Sequence, residues 1–444
     1  MPVVAVRRRL IADAPPLLVL SAGLLLGTAL LNPLVSSSRE VRATVSAPPP
    51  LQAWIDATAT GGTLNAPAGT YSGPVVISRP MVIDGKGAIT IDGGGQGTVL
   101  TLRTSGASLR GLHITRSGGS HDAIDSGLLI DSGSDNVIEG NTIDDVLFGI
   151  TLQRANDNRI IGNRIRSRPD EPADRGDGIR LWYSMGNRVE NNDISRIRDI
   201  TITNSLRNRF VANSVSDSRR ALNLLFSHRT LIEKNLLTGN STGITALNSD
   251  GLTIRNNRIM HAGDASGAGI ALKESGTTLI HGNEIIHCAV GILSDSPMHA
   301  LNRITVIDNR IAHNVTGISF YGERGGHLVL FNSFEHNLWQ ALVGASGDID
   351  GNEWRGNYWD NYEGFDRNDD GFGDTPYEIW AHADQIWLET PMARFFRNSP
   401  ALELLDFFER LAPFALPTLI LRDPEPVSRP DATTPRIQQQ MAQR

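Results

Sequence analysis

A repeat of about 22 residues runs through the middle of this chain, and it leaves few folds open. Its core asparagine recurs at Asn141, Asn163, Asn192, Asn213, Asn235, Asn257, Asn283, Asn309 and Asn332. A second anchor, glycine followed by isoleucine, stands at Gly149-Ile150, Gly178-Ile179, Gly243-Ile244, Gly269-Ile270, Gly291-Ile292 and Gly317-Ile318. Asp199-Ile200, Ala221-Leu222 and Ala341-Leu342 replace it in the same phase. From Gly149 onward, six successive anchors lie 14 residues before the next asparagine. That regularity belongs to a stacked solenoid, whose coils bury a core only together.

The period is too short for a pair of helices. Within it, short apolar alternations such as Asn257-Arg258-Ile259 are separated by Asn, Gly and Ser, and no long 3.6-residue periodicity intervenes between residues 62 and 360. The fold expected is all-β: a right-handed parallel β-helix of ~22-residue coils, the hand following from crossover chirality. Strands of successive coils then pair at about 4.8 Å. Turn asparagines accept left-handed backbone and ladder from coil to coil.

The ends read differently. Arg7, Arg8 and Arg9 precede an apolar run from Leu17 to Leu31, the pattern of an export signal or an N-terminal anchor. Residues 1–47 are therefore assigned to that segment plus linker, and the body to the outside of the cytoplasm. Residues 48–360 form the β-helix, opened by a short helical cap at 51–60. Residues 361–422 form a C-terminal cap, with Trp354, Tyr358, Trp359, Tyr362 and Phe365 crowding its entrance and an amphipathic helix at 402–411. Residues 423–444 are polar and read as a disordered tail. The single cysteine, Cys288, rules out an intrachain disulfide. A net charge of -7 and the lack of a basic stripe with interleaved aromatics argue against a nucleic-acid partner.

Breaks in a solenoid become loops, where function tends to sit. Three insertions interrupt the period: Arg168–Arg175, Met260–Ser266 and Ser296–His299. Two carry Met-His pairs, Met260-His261 and Met298-His299. Thioether with imidazole suits copper, Cu(I) above all. Four residues after the core asparagine of four consecutive coils stand His261, His287, His313 and His336, which should stack one strand spacing apart, with Cys288 beside the second. Such rings could not all share one metal without side-chain rotation. The same turn position carries Asp145, Asp217 and Gly239 elsewhere, so histidine there also suits the turn alone.

Asp366, Asn368, Asp370 and Asp374 occupy positions 1, 3, 5 and 9 of a calcium-type loop, with Gly371 at position 6. Position 12 is Tyr377, so an EF-hand is incomplete.

The segment Gly356–Tyr377 (GNYWDNYEGFDRNDDGFGDTPY), the later Arg397–Leu405 and the opening Gly69-Thr-Tyr71-Ser-Gly73 through Ile91–Gly95 resemble NosD-type periplasmic proteins, over about residues 50 to 415. The resemblance implies a right-handed β-helix that is not itself an enzyme. It implies partnership with an inner-membrane ABC transporter (permease and ATPase), a copper chaperone and nitrous oxide reductase, to whose copper centres copper is supplied. The rival reading is a polysaccharide-acting β-helix: a lyase, hydrolase or uronate epimerase. Such enzymes need clustered carboxylates or a Tyr/His/Arg set. Asp174, Asp177, Arg180 and Tyr183, beside the first insertion, are its best candidates.

Overall fold

A computed structural model describes residues 47–168, 171–264, 267–295, 302–321, 325–343, 351–381, 404 and 418–429. They form a right-handed parallel β-solenoid of about 12 coils. Two strands of each regular coil join a 24-stranded sheet and the third joins a 12-stranded sheet. Thr253–Arg255, Arg258–Met260 and Ala268–Lys273 are the three strands of one such coil. The expected period, parallel pairing and all-β class are all present.

Register is fixed by the side-chain alternation. One inward column runs Ile143, Ile165, Ile194, Val215, Leu237, Ile259, Ile285, Ile311, Phe334 and Trp359 through consecutive coils. Every member is buried. A slip by one residue would turn the whole column to solvent, so the pattern itself specifies the pairing. The glycine anchors have a steric cause. A Cβ on Gly269 would lie 2.7 Å from the Gly291 carbonyl oxygen of the next coil, closer than real contacts allow.

The core asparagines form a buried ladder from Asn141 to Asn357. Asn257 shows the unit. Its Nδ2 donates to Ile232 O and to Asn283 Oδ1, both at 2.9 Å, while its Oδ1 accepts from the backbone and side-chain nitrogens of Asn235, also at 2.9 Å. Each rung therefore satisfies the carboxamide and backbone groups at a bend that no strand pairing reaches.

The ladder ends on a carboxylate. Asp423 is buried and takes hydrogen bonds from the backbone N–H groups of Gly356, Asn357 and Glu425, from Asn357 Nδ2 and from Trp359 Nε1. It closes the strand Thr418–Asp423, which pairs antiparallel with Tyr377–Ala381. The polar composition after 422 suggested a disordered tail, but Asp423, Glu425 and Val427 pack on the last coil, and Arg355 pairs with Glu425 at 2.8 Å. Polarity misled here because the last rung needs an acceptor with no N–H of its own.

Phe334, Trp359 and Tyr377 stack face to face at 4.4 and 4.5 Å and seal the core. Trp354 and Trp359 belong to this cap as expected, whereas Phe365 is 72% exposed and does not. At the other end the expected helix covers Gln52–Ala57 and buries Leu51 and Ile55. The expected helix at 402–411 lies, Leu404 apart, outside the described residues, as does the signal or anchor segment 1–46. No described helix is long and apolar enough to cross a membrane.

Asn257→Ala should remove about 3 kcal/mol of stability, because it strands donors and acceptors on both neighbouring coils. Asp423→Asn should remove about 2 kcal/mol by turning an amide N–H against backbone donors. Exposed Arg159→Ala should stay within about 0.5 kcal/mol. Urea unfolding followed by circular dichroism measures all three.

Candidate functional site

The turn after the second strand of each coil needs left-handed backbone, and the histidines sit there. His261, His287, His313 and His336 have φ of 60°, 56°, 55° and 52°. Asp145, Asp217 and Gly239 adopt the same conformation in earlier coils. Asp, His and Gly accept it at little cost and fill most of these turns, although Arg196 adopts it too, with φ of 54°.

Stacking then does what the spacing predicted. Ring centroids are 5.2 Å apart for His261–His287, 5.2 Å for His287–His313 and 5.1 Å for His313–His336, with the first pair tilted by only 4°. All four side chains are exposed. The last is oriented by Asp360: its Nδ1 lies 2.9 Å from Asp360 Oδ2, which also accepts the His336 backbone N–H. A carboxylate on one ring nitrogen leaves the other as the outward donor to a metal. Among the described residues, no group of three or more His, Cys, Asp or Glu side chains converges on one point. The column offers imidazoles in series.

Met260 ends the strand before His261, half-buried, and is aligned with Thr238 and Ile286 in the neighbouring coils. Met298 and His299 lie outside the described residues. Cys288 does not join the imidazoles. It points inward while His287 points out, and its backbone N–H donates to Asn314 Oδ1 at 2.8 Å. Burial pushes its thiol up to about 11. Adjacency in sequence meant opposite faces of the turn, so Cys288 is a core residue.

A row of charges runs beside the histidines. Arg258 meets Glu284 at 2.9 Å, Glu284 meets Arg310 at 3.1 Å, and Arg310 meets Glu335 at 2.7 Å. Alternating signs on successive coils neutralise the rim and leave the imidazoles as its ligand-competent groups. This row was missed in the sequence: Arg258, Glu284 and Arg310 each directly follow a core asparagine, whereas Glu335 stands three residues after Asn332, in register with Ala312, and joins the row only by side-chain reach.

The Asp-rich loop is held by its own backbone. Asp366 accepts from the N–H groups of Asp370 and Gly371, and Asp374 from that of Arg367. Tyr377, at position 12, is buried against Trp359 and its phenol donates to Asn361 Oδ1 at 2.9 Å. Those oxygens are used in shaping a turn, and nothing further points to calcium.

The rival set does not gather as a catalytic centre. Asp177 is buried and bound to Arg198 at 2.9 Å. Burial raises its carboxyl above the usual range, Arg198 pulls it down, and nearby Asp199 pushes it up. Asp174 sits exposed in a 3-10 turn, where its carbonyl lies 3.0 Å from His121 Nε2. Arg180 lies over Trp182, and Tyr183 is exposed at that ring's edge.

Residues 166–364 match the family described as periplasmic copper-binding protein (NosD). The chain is 30% identical over 395 residues to a probable ABC transporter binding protein NosD of Pseudomonas aeruginosa, covering 84% of this chain and 90% of that protein. The protein of the same name from Stutzerimonas stutzeri is 28% identical over 365 residues, covering 78% and 82%. Among solved structures, the A-module of the mannuronan C-5 epimerase AlgE6 of Azotobacter vinelandii aligns with a TM-score of 0.46 and 16% identity, over 67% of this chain and 93% of that one. That likeness carries nothing about chemistry.

Two outcomes follow for the buried groups. Cys288 should resist alkylation in the native protein at pH 8 and react fully in urea, read by mass spectrometry. Its folded-state pKa lies above the unfolded one, so its contribution to stability is present below about pH 9 and is lost as pH rises towards about 11. Arg198→Gln should destabilise by about 3 kcal/mol in thermal or urea unfolding, since it leaves the Asp177 carboxylate buried and unpaired.

Proposed function

This chain belongs to the NosD family, and on that premise we propose that it is a periplasmic accessory protein that handles copper as cargo. In this reading it docks to an inner-membrane ABC transporter, takes copper from a chaperone and serves the maturation of nitrous oxide reductase. The family description and the relatives' names support the periplasm, copper and the transporter. The reductase and the chaperone rest on the resemblance of the chain's two ends.

The observation that carries the copper reading is the exposed column His261, His287, His313 and His336, beginning at Met260. Imidazole nitrogen and thioether sulfur are ligands that copper accepts readily. The donor set therefore fits the cargo. Donors in series give neighbouring coils equivalent places for the ion, without the closed shell that would trap it. Such an arrangement suits transfer better than storage. Val315 and Leu338, each two residues after a histidine of the column, are more than half exposed and would offer a contact face to a partner.

The polysaccharide-enzyme reading has weaker support. It asks for clustered carboxylates or a Tyr/His/Arg set facing one substrate. Asp177 and Asp199 are instead buried against Arg198 and Arg219.

Cu(I) competition against a chromophoric chelator tests the proposal. The purified protein should bind Cu(I), and the double variant His287→Ala/His313→Ala should lose about tenfold or more in affinity, about 1.4 kcal/mol. Met260→Leu should weaken binding less. Unchanged affinity in the double variant would remove the column from the copper path.

A further inference from the structure

The chain carries a net charge of -7, yet residues 164–229 hold thirteen arginines against eight acidic residues. Coil stacking decides where these cations go. In the 12-stranded sheet Ile179 and Leu181 point into the core, so Arg180 and Trp182 stand on the outer face. Register places Thr151 and Thr201 on either side of Arg180, and Gln153 and Thr203 on either side of Trp182. Tyr183 follows with φ 48°, 49% exposed, its ring edge-on to Trp182 at 5.3 Å. Asn204 takes the same left-handed turn one coil on.

The buried carboxylates of this stretch are already matched. Asp177 holds Arg198, and Asp199 holds Arg219 at 2.5 Å and reaches Arg220 at 3.7 Å. Arg188, Arg196, Arg207, Arg209 and Arg229 carry no ion pair among the described residues and are exposed; Arg180 differs in being half-buried against an aromatic ring, with no carboxylate within ion-pair distance among the described residues. Its guanidinium is 5.2 Å from the centroid of the Trp182 ring. Half-burial lowers its pKa first; Asp177 raises it, and Arg198 lowers it again. A guanidinium stays charged regardless, so the face presents a desolvated cation with a preset orientation and no anion.

We propose that this face, built on Arg180, Trp182 and Tyr183 with Gln153, Thr203 and Asn204 around them, binds a carboxylated saccharide of the uronate class. The planar guanidinium suits a carboxylate through paired N–H donors. Exposed aromatic surface suits the apolar faces of pyranose rings. The amides and hydroxyls nearby suit sugar hydroxyls, and they recur at the strand spacing of about 4.8 Å along the stack. Buried Asp177 and Asp199 limit the local excess of positive charge. That favours a ligand with one charge per ring over a dense phosphate polymer, which draws on many cations at once. The site lies on coils apart from the imidazole column and does not depend on the copper reading.

Isothermal titration of the full purified protein with a mannuronate tetrasaccharide tests this, beside the neutral mannose tetrasaccharide and single-stranded oligothymidylate. The uronate should bind about tenfold or more tightly than the neutral sugar, and Arg180→Gln should remove about that factor, as expected for losing a hydrogen-bonded charge. Tyr183→Ser, at an exposed position that folding tolerates, should weaken binding about threefold, and thermal melts establish that both variants are folded. No uronate binding, equal affinity for the neutral sugar, unchanged binding in folded Arg180→Gln, or tighter binding of the oligonucleotide would each overturn the assignment.

Discussion

Each carboxamide in the column from Asn141 to Asn357 donates to the coil on one side and accepts from the coil on the other. These bonds lie at the bend between two strands, where the backbone turns and its amides would otherwise be buried without partners. A buried amide without a partner costs about 1–3 kcal/mol, so the ladder is a condition of stacking. It also locks the phase of every coil against the next. All the other columns, apolar, charged or imidazole, inherit their alignment from it.

That inheritance explains the shape of the functional surfaces. A solenoid repeats one position at one spacing, so a residue type placed at a given offset becomes a line. The four imidazoles are such a line, and so are Arg258, Glu284 and Arg310. Lines favour ligands that move or extend along the axis. A transferable ion and a polymer both have that character, and the two proposed surfaces differ accordingly: nitrogen donors in series on one, a half-buried guanidinium with aromatic support on the other.

The histidine column was legible because its offset from the asparagine is constant and its turn demands φ > 0. Cys288 was not, because neighbours across a left-handed turn face opposite ways, one to solvent and one to the core. The role of Asp423 was hidden for another reason: it lies 66 residues beyond its partner Asn357, outside the repeat, in a segment whose polarity suggested disorder. The unmatched state of Arg180 depended on which coil each acidic neighbour serves, and Asp177 stands three positions away while bonding Arg198.

The sequence by itself determined the coil length, the inward columns, the turn positions and the imidazole stack, since each follows from a local period acting through fixed strand geometry. Only the tertiary structure decided how the stack is closed and where charge is left uncompensated. Closure brings Asp423 back onto the last asparagine and Tyr377 onto Trp359, contacts between segments with no shared period. Compensation depends on pairings between coils, and a charge's partner there is set by side-chain reach across a strand spacing of about 4.8 Å, which a one-dimensional reading does not contain.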